Sequence, residues 1–306
     1  MPRRTLLAAT AAVVALGLVV VLLSRRDGGD EYVPTPIPGV EMTCFQETAP
    51  VPWSYCINRL PDSANQDLLY YLHARNGNPT WWNDRTYHTG RLYETWRANR
   101  QDPPTVVAVS FGKLWMLSDY DPELDGGLFK VFTDTVIPTV EAQIDIRQGQ
   151  RLLAGISMGG FNTLLLALKS DGVFSRAAAI CSPLPTVSNH DGLMAILGAA
   201  RETGTSTKRA LMLWAFGRRF YPTRQVWAAN DPLSLSRGFS AEAGPALYLT
   251  CGRADDWGCF LGSEQLAANI EQAGGDIQWV PRDGGHCDID YTSLGAFLQP
   301  SVGDST

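Results

Sequence analysis

A glycine-bracketed serine, Gly155-Ile156-Ser157-Met158-Gly159-Gly160, lies directly behind the apolar run 151–156 and directly ahead of a helical pattern over 158–169. That order constrains the fold more than any other feature. A chain that leaves a buried strand, turns once and enters a helix holds the turn residue in a strained conformation. The residues two before and two after it must be glycine or similarly small, because neighbouring backbone passes close by. The strand and the helix that packs back on it form the repeating unit of a layered α/β sheet.

The rest of the chain repeats this alternation. Short, mostly apolar runs at 67–73, 105–110, 151–156, 176–181, 246–251 and 277–280 read as strands, and longer amphipathic stretches at 90–100, 128–146, 158–169, 263–273 and 291–298 read as helices. Such runs, separated by helices, predict a mostly parallel central sheet with helices on both faces. With 306 residues the chain holds one large domain, expected over 41–299. One stretch breaks the rhythm. Residues 185–240 form a long insertion with a helical segment at 193–202 and an aromatic, arginine-containing one at 214–227. Placed after the fourth of these strands, it overhangs the C-terminal edge of the sheet, as a lid or acyl-pocket wall or as plain packing.

Ahead of the domain, Arg3 and Arg4 precede an uncharged apolar run from Leu6 to Leu23, and Arg25 and Arg26 follow it. At about 1.5 Å per helical residue such a run nearly crosses a hydrocarbon core of roughly 30 Å. Segment 1–24 is therefore expected to be an N-terminal transmembrane helix that anchors the protein, or else a secretory signal, although no small-residue cleavage site follows it. Segment 25–40, with Gly28-Gly29 and prolines at 34, 36 and 38, reads as an extended linker. Both flanks of the apolar run carry two arginines, so charge does not orient it; the cysteines behind it favour an extracytoplasmic domain.

None of the six cysteines forms a Cys-x-x-Cys pair, and no histidine pair stands nearby at ligand spacing, so a zinc site is not expected. Cys44 and Cys56 could bridge two early strands. Cys259 and Cys287 each follow a proposed active-site residue closely, and a disulfide between them is expected. Cys181 and Cys251, at strand ends, read as small buried residues. The net charge of −6, with no basic cluster in the body of the chain, excludes nucleic acid as an expected partner.

A serine hydroxyl needs a base to act as a nucleophile. Of the four histidines, His73 ends a strand before the serine, His88 lies in the next loop and His190 falls in the insertion. His286 alone follows a late strand, in the glycine-flanked loop Asp283-Gly284-Gly285-His286, and is assigned as the base. The acid of such a triad follows the serine and precedes the histidine in chain order. Gly252-Arg253-Ala254-Asp255-Asp256 leaves the strand between them, with Asp255 preferred and Asp256 its rival. An oxyanion hole needs two amides, one from Met158 after the serine and one from Ala74 or Arg75 in the loop after the strand at 67–73. Trp81 and Trp82 follow that loop and are candidate substrate-binding residues.

With these residues in place, the chain resembles the putative-esterase branch of the α/β hydrolases, which includes esterase D (S-formylglutathione hydrolase), feruloyl esterases and the mycolyltransferases. The resemblance runs from Glu41 to Leu298 through Leu-Tyr-Tyr-Leu-His73, Gly-Ile-Ser157-Met-Gly-Gly, Asn230-Asp231-Pro232, Cys251-Gly-Arg-Ala-Asp255 and Gly-Gly-His286. It implies the α/β-hydrolase fold, acyl-enzyme chemistry at Ser157 on a small-molecule or cell-envelope ester, no metal and no cofactor. The acid stands three residues after the strand-ending glycine in that branch, which again favours Asp255. Ala74-Arg75 replaces the usual His-Gly and small or apolar residue of the oxyanion loop, and the tryptophan often found after the histidine is missing. Substrates therefore do not transfer from relatives. Transfer of the acyl group to an envelope sugar or another alcohol, and a non-catalytic binding role, are the alternative readings.

Overall fold

The computed structural model of the protein describes residues 33–144 and 149–299. Eight strands form one sheet in the order β1-β2-β4-β3-β5-β6-β7-β8. β1 (Glu41–Glu47), β2 (Trp53–Arg59) and β4 (Thr105–Ser110) pair antiparallel, while β3 (Leu68–Leu72), β5 (Arg151–Ile156), β6 (Arg176–Ile180), β7 (Ala246–Gly252) and β8 (Ile277–Arg282) continue from β4 in parallel. The five residues of β3 are all buried, as are all but the first of β5 and of β7. Side chains of both parities thus leave water, which is why these strands read as continuous apolar runs.

Helices cover both faces. On one lie α1 (His88–Ala98) and α9 (Tyr291–Phe297), whose Trp96 and Phe297 join Leu69, Tyr71 and Tyr248 in one core cluster. On the other lie α2 (Gly127–Val131), a π-helical turn at Phe132–Val136, α3 (Ile137–Ile144), α4 (Met158–Lys169) and α8 (Cys259–Gln272). Ten of the twelve residues of α4 are buried, because the side away from the sheet is covered by the loop at 115–117, where the Leu117 amide donates to Asn162 Oδ1 at 2.7 Å, and by the end of the insertion at 232–235. That insertion contains α5 (Leu193–Glu202), α6 (Thr207–Phe220) and α7 (Arg224–Asn230). Its far end is tied down by Asn230, whose amide donates to Asp119 Oδ1 at 2.7 Å and accepts from Lys169 Nζ at 3.2 Å.

Two expectations need correction. The later part of segment 25–40 is not a free linker: Ile37 and Val40 enter the core beside α1, and the Ile37 amide donates to Asn83 Oδ1 at 2.8 Å. The apolar patterning of that short stretch is hidden among its prolines. The disulfide expected between Cys259 and Cys287 does not exist. Cys287 is bonded to Cys181, while Cys259 and Cys251 are free and buried. The reason lies in strand order. β6 stands between the strands that carry the serine and the acid, so the residue just past its end lies beneath the histidine loop. The Cys44–Cys56 bridge links facing residues of β1 and β2. The expected membrane segment 1–24 lies outside the described residues; among the described residues no helix is long and apolar enough to cross a membrane.

Candidate active site

Ser157 stands between β5 and α4 with φ 55° and ψ −114°, a left-handed conformation that a non-glycine residue adopts at a cost of about 1–3 kcal/mol. Its amide donates to Ile180 O of β6 at 2.8 Å, which fixes the turn to the sheet. The flanking glycines are needed for space. A Cβ on Gly155 would overlap the Gly159 carbonyl, and one on Gly159 would overlap the Leu72 carbonyl at the end of β3. The turn is thus wedged between its own helix and the neighbouring strand.

Three side chains from three loops meet here. His286 Nε2 lies 3.3 Å from Ser157 Oγ, and His286 Nδ1 lies 2.6 Å from Asp255 Oδ2. With Nδ1–H donating to the carboxylate, Nε2 is left to accept the serine proton. The loops are stitched to each other: Ala254 N donates to Gly284 O at 3.0 Å, and a Cβ on Gly252 would strike the Gly284 and Gly285 carbonyls. Burial pushes the Asp255 carboxyl up, but the hydrogen bond and charge of His286 outweigh it. The Trp257 and Cys259 amides add to this, and the group is held below the ordinary carboxylate range. Asp255 is therefore buried yet ionised at neutral pH. Asp256, the rival acid, points away and pairs with Arg209.

The loop expected to supply the second oxyanion amide abuts the serine turn, since Gly159 faces the Leu72 and His73 carbonyls. His73 shapes that loop. It is 1 % exposed, its Nδ1–H donates to Ala74 O at 2.7 Å, and its Nε2 accepts from Ser110 Oγ at 2.8 Å. Burial pulls its pKa down to about 4, so it is neutral. The Met158 amide belongs to the first turn of α4, where N–H groups have no acceptor within the helix.

Trp82 is displaced from its expected role. It is 1 % exposed and packs edge-on against Tyr71, with its Nε1–H on Tyr93 Oη at 3.2 Å, so it is a core residue. Trp81 packs against Tyr87, and neither tryptophan lines the apolar chamber beside the site. That chamber is walled by Trp214, Trp227 and Trp257 instead, with Phe161 from α4. Trp257 also packs on the His286 ring, with centroids 5.7 Å apart. Its position two residues after Asp255 was a usable signal; the tryptophans of the insertion carried none, because nothing in sequence tells which way a cap helix faces.

Comparison with known proteins agrees with this architecture. The family described as "Putative esterase" matches residues 58–272. A ferulic acid esterase is 17% identical with a TM-score of 0.53, covering 85% of this chain and 95% of its own. An S-formylglutathione hydrolase from Staphylococcus aureus is also 17% identical with a TM-score of 0.53, covering 84% of this chain and 95% of its own. A structure titled a putative esterase from the same organism is 11% identical with a TM-score of 0.60, covering 89% and 88%. No curated protein matches.

Proposed function

The chain belongs to the putative esterase family, and on that premise we propose that it cleaves carboxylic esters through an acyl-enzyme on Ser157. His286 acts as general base and acid, and Asp255 orients it. The observation that carries this reading is the hydrogen-bonded line from Ser157 Oγ through His286 to Asp255. Ser157 Oγ attacks the ester carbonyl as its proton passes to His286 Nε2. The imidazolium, steadied by the Asp255 charge, then protonates the departing alcohol as the carbonyl–oxygen bond breaks. Water enters, gives its proton to His286 and releases the acid, restoring the serine hydroxyl. The amides of Met158 and of Ala74 or Arg75 hold the negative oxygen that forms in each half-reaction.

The compartment is part of the reading. Two disulfides and the apolar run from Leu6 to Leu23 support a domain held outside the cytoplasm by an N-terminal anchor. The decisive experiment is fluorophosphonate labelling of the purified protein against Ser157→Ala. Labelling of the parent alone is expected; equal labelling of both, or of neither, overturns the assignment. Product analysis with and without an acceptor sugar then separates hydrolysis from acyl transfer.

A further inference from the structure

Beside the serine, between the sheet and the helices of the insertion, lies a chamber of about 860 Å³ including its open mouth. Its floor includes Phe161, one turn beyond Ser157, and its roof comes from α5 and α6. Trp257, which packs on His286, closes the side nearest the imidazole. The chamber and the His286 ring therefore share Trp257 as a common wall.

Its wall is mostly apolar, with threonines at 186, 203 and 205, and it holds two buried polar side chains that the fold leaves without a partner. Asn189 lines the chamber at 4 % exposure, and neither atom of its side-chain amide has a hydrogen-bond partner among the described residues. The residue is not misplaced, for its backbone carbonyl accepts from Trp214 Nε1 at 2.8 Å. The Tyr221 hydroxyl, on a residue 1 % exposed that also lines the chamber, is likewise unpartnered. Buried polar groups of folded proteins are paired as a rule, and an orphaned amide in an apolar wall is what a ligand group would relieve.

We infer that this chamber is the acyl-group site, shaped for an aliphatic chain with a hydroxyl along its length that hydrogen-bonds Asn189. The assignment rests on the Ser157 acyl-enzyme proposed above. Apolar walls favour the acyl side of an ester, because the leaving alcohol must take a proton from His286 and depart to water. A hydroxyl suits the amide best, since it donates to Oδ1 and accepts from Nδ2, whereas a carbonyl uses only the donor. A plain chain would leave the amide unpaired when it displaces solvent.

The test uses 4-nitrophenyl esters, which hold the leaving group constant while the acyl group varies from acetate to decanoate and to decanoates hydroxylated at successive carbons. In the parent, kcat/KM rises at least about tenfold from acetate to decanoate, and again for one hydroxyl position. Ala200→Phe, which fills the chamber, lowers the decanoate-to-acetate ratio about tenfold or more. Asn189→Leu lowers the hydroxydecanoate-to-decanoate ratio by about tenfold, the value of one hydrogen bond. Should Ala200→Phe lose all activity, Ile196→Ala must move the preferred chain length upward; an unmoved preference overturns the assignment. A parent that takes up fluorophosphonate yet prefers acetate, or an Asn189→Leu ratio equal to that of the parent, overturns the acyl-site inference and leaves the hydrolase reading intact. Absence of labelling overturns the hydrolase reading itself.

Discussion

Cys287, the residue after His286, is bonded to Cys181, the residue after Ile180, whose carbonyl accepts the Ser157 amide. One covalent bridge thus joins the histidine loop to the strand that anchors the serine, across a sequence separation of 106. On the proposed mechanism, the bridge keeps the imidazole beside Ser157. Cys181→Ala, Cys287→Ala and the double variant are each expected to lose roughly ten- to a hundredfold in kcat, with KM changed far less, because displacement of the base by about 1 Å costs on that order. The three variants should be equally impaired, since each breaks the same bond. A reduced protein with both thiols titratable and full kcat would show that the loop holds its own position.

The serine turn makes a sharper structural demand. Gly159→Ala drives a methyl into the Leu72 carbonyl, which is backbone of a buried strand and cannot swing aside. The variant is expected to lose more than about 3 kcal/mol or to fail to accumulate as soluble protein. Gly198, inside α5, is the matched control. A Cβ there meets nothing within 4 Å. Gly198→Ala should raise stability by about 0.5–1 kcal/mol through helix propensity alone. Thermal unfolding of both variants checks the pair, and similar small shifts in the two would refute the wedge.

The choice between adjacent aspartates has a direct kinetic reading. Asp255→Asn keeps the shape but removes the charge and offers His286 a donor in place of an acceptor. It should lower kcat by roughly 10³–10⁴-fold. Asp256→Asn breaks only a half-exposed pair with Arg209 and should stay within about threefold of the parent, since such pairs are worth about 1 kcal/mol or less. Steady-state rates on one ester compare the two, and a reversal of the order would reassign the acid.

How much of this was legible beforehand follows from what each feature depends on. The parallel strands were readable because strands buried on both faces are apolar throughout, as at Leu68–Leu72. The meeting of Ser157, Asp255 and His286 could be anticipated because strand-end glycines and chain order can be read directly along the sequence. β1 and β2 were barely visible: no residue of β1 is buried, and only Cys44 and Cys56 hinted at them. The Cys181–Cys287 bond depends on β6 lying between β5 and β7, which is a fact of strand order and not of spacing. Trp82 packs instead against Tyr71 and Tyr93, on the strand before its loop and the helix after it, and the way those two elements close over the loop is not written in its spacing.

His73 gives a prediction with a definite sign. Its native pKa lies near 4 because the ring is buried, below the ordinary imidazole value of 6.5 that it regains when the chain unfolds. Between those values the unfolded chain binds the extra proton, so stability must fall as pH is lowered through that window, by up to about 1.4 kcal/mol per pH unit from this residue. His88 and Asp255 are also shifted downward and act in the same sense, so the bare slope does not single out His73. His73→Gln does: it removes the titration while leaving the other two. Urea unfolding between pH 4 and 7 should show a shallower pH slope in the variant, together with lower stability at pH 7 from loss of the Ala74 and Ser110 hydrogen bonds. Because those bonds fix the loop beside the serine turn, kcat should fall in parallel at pH 7. An unchanged pH slope would mean that His73 titrates normally in the native state and does not hold the loop as a neutral donor.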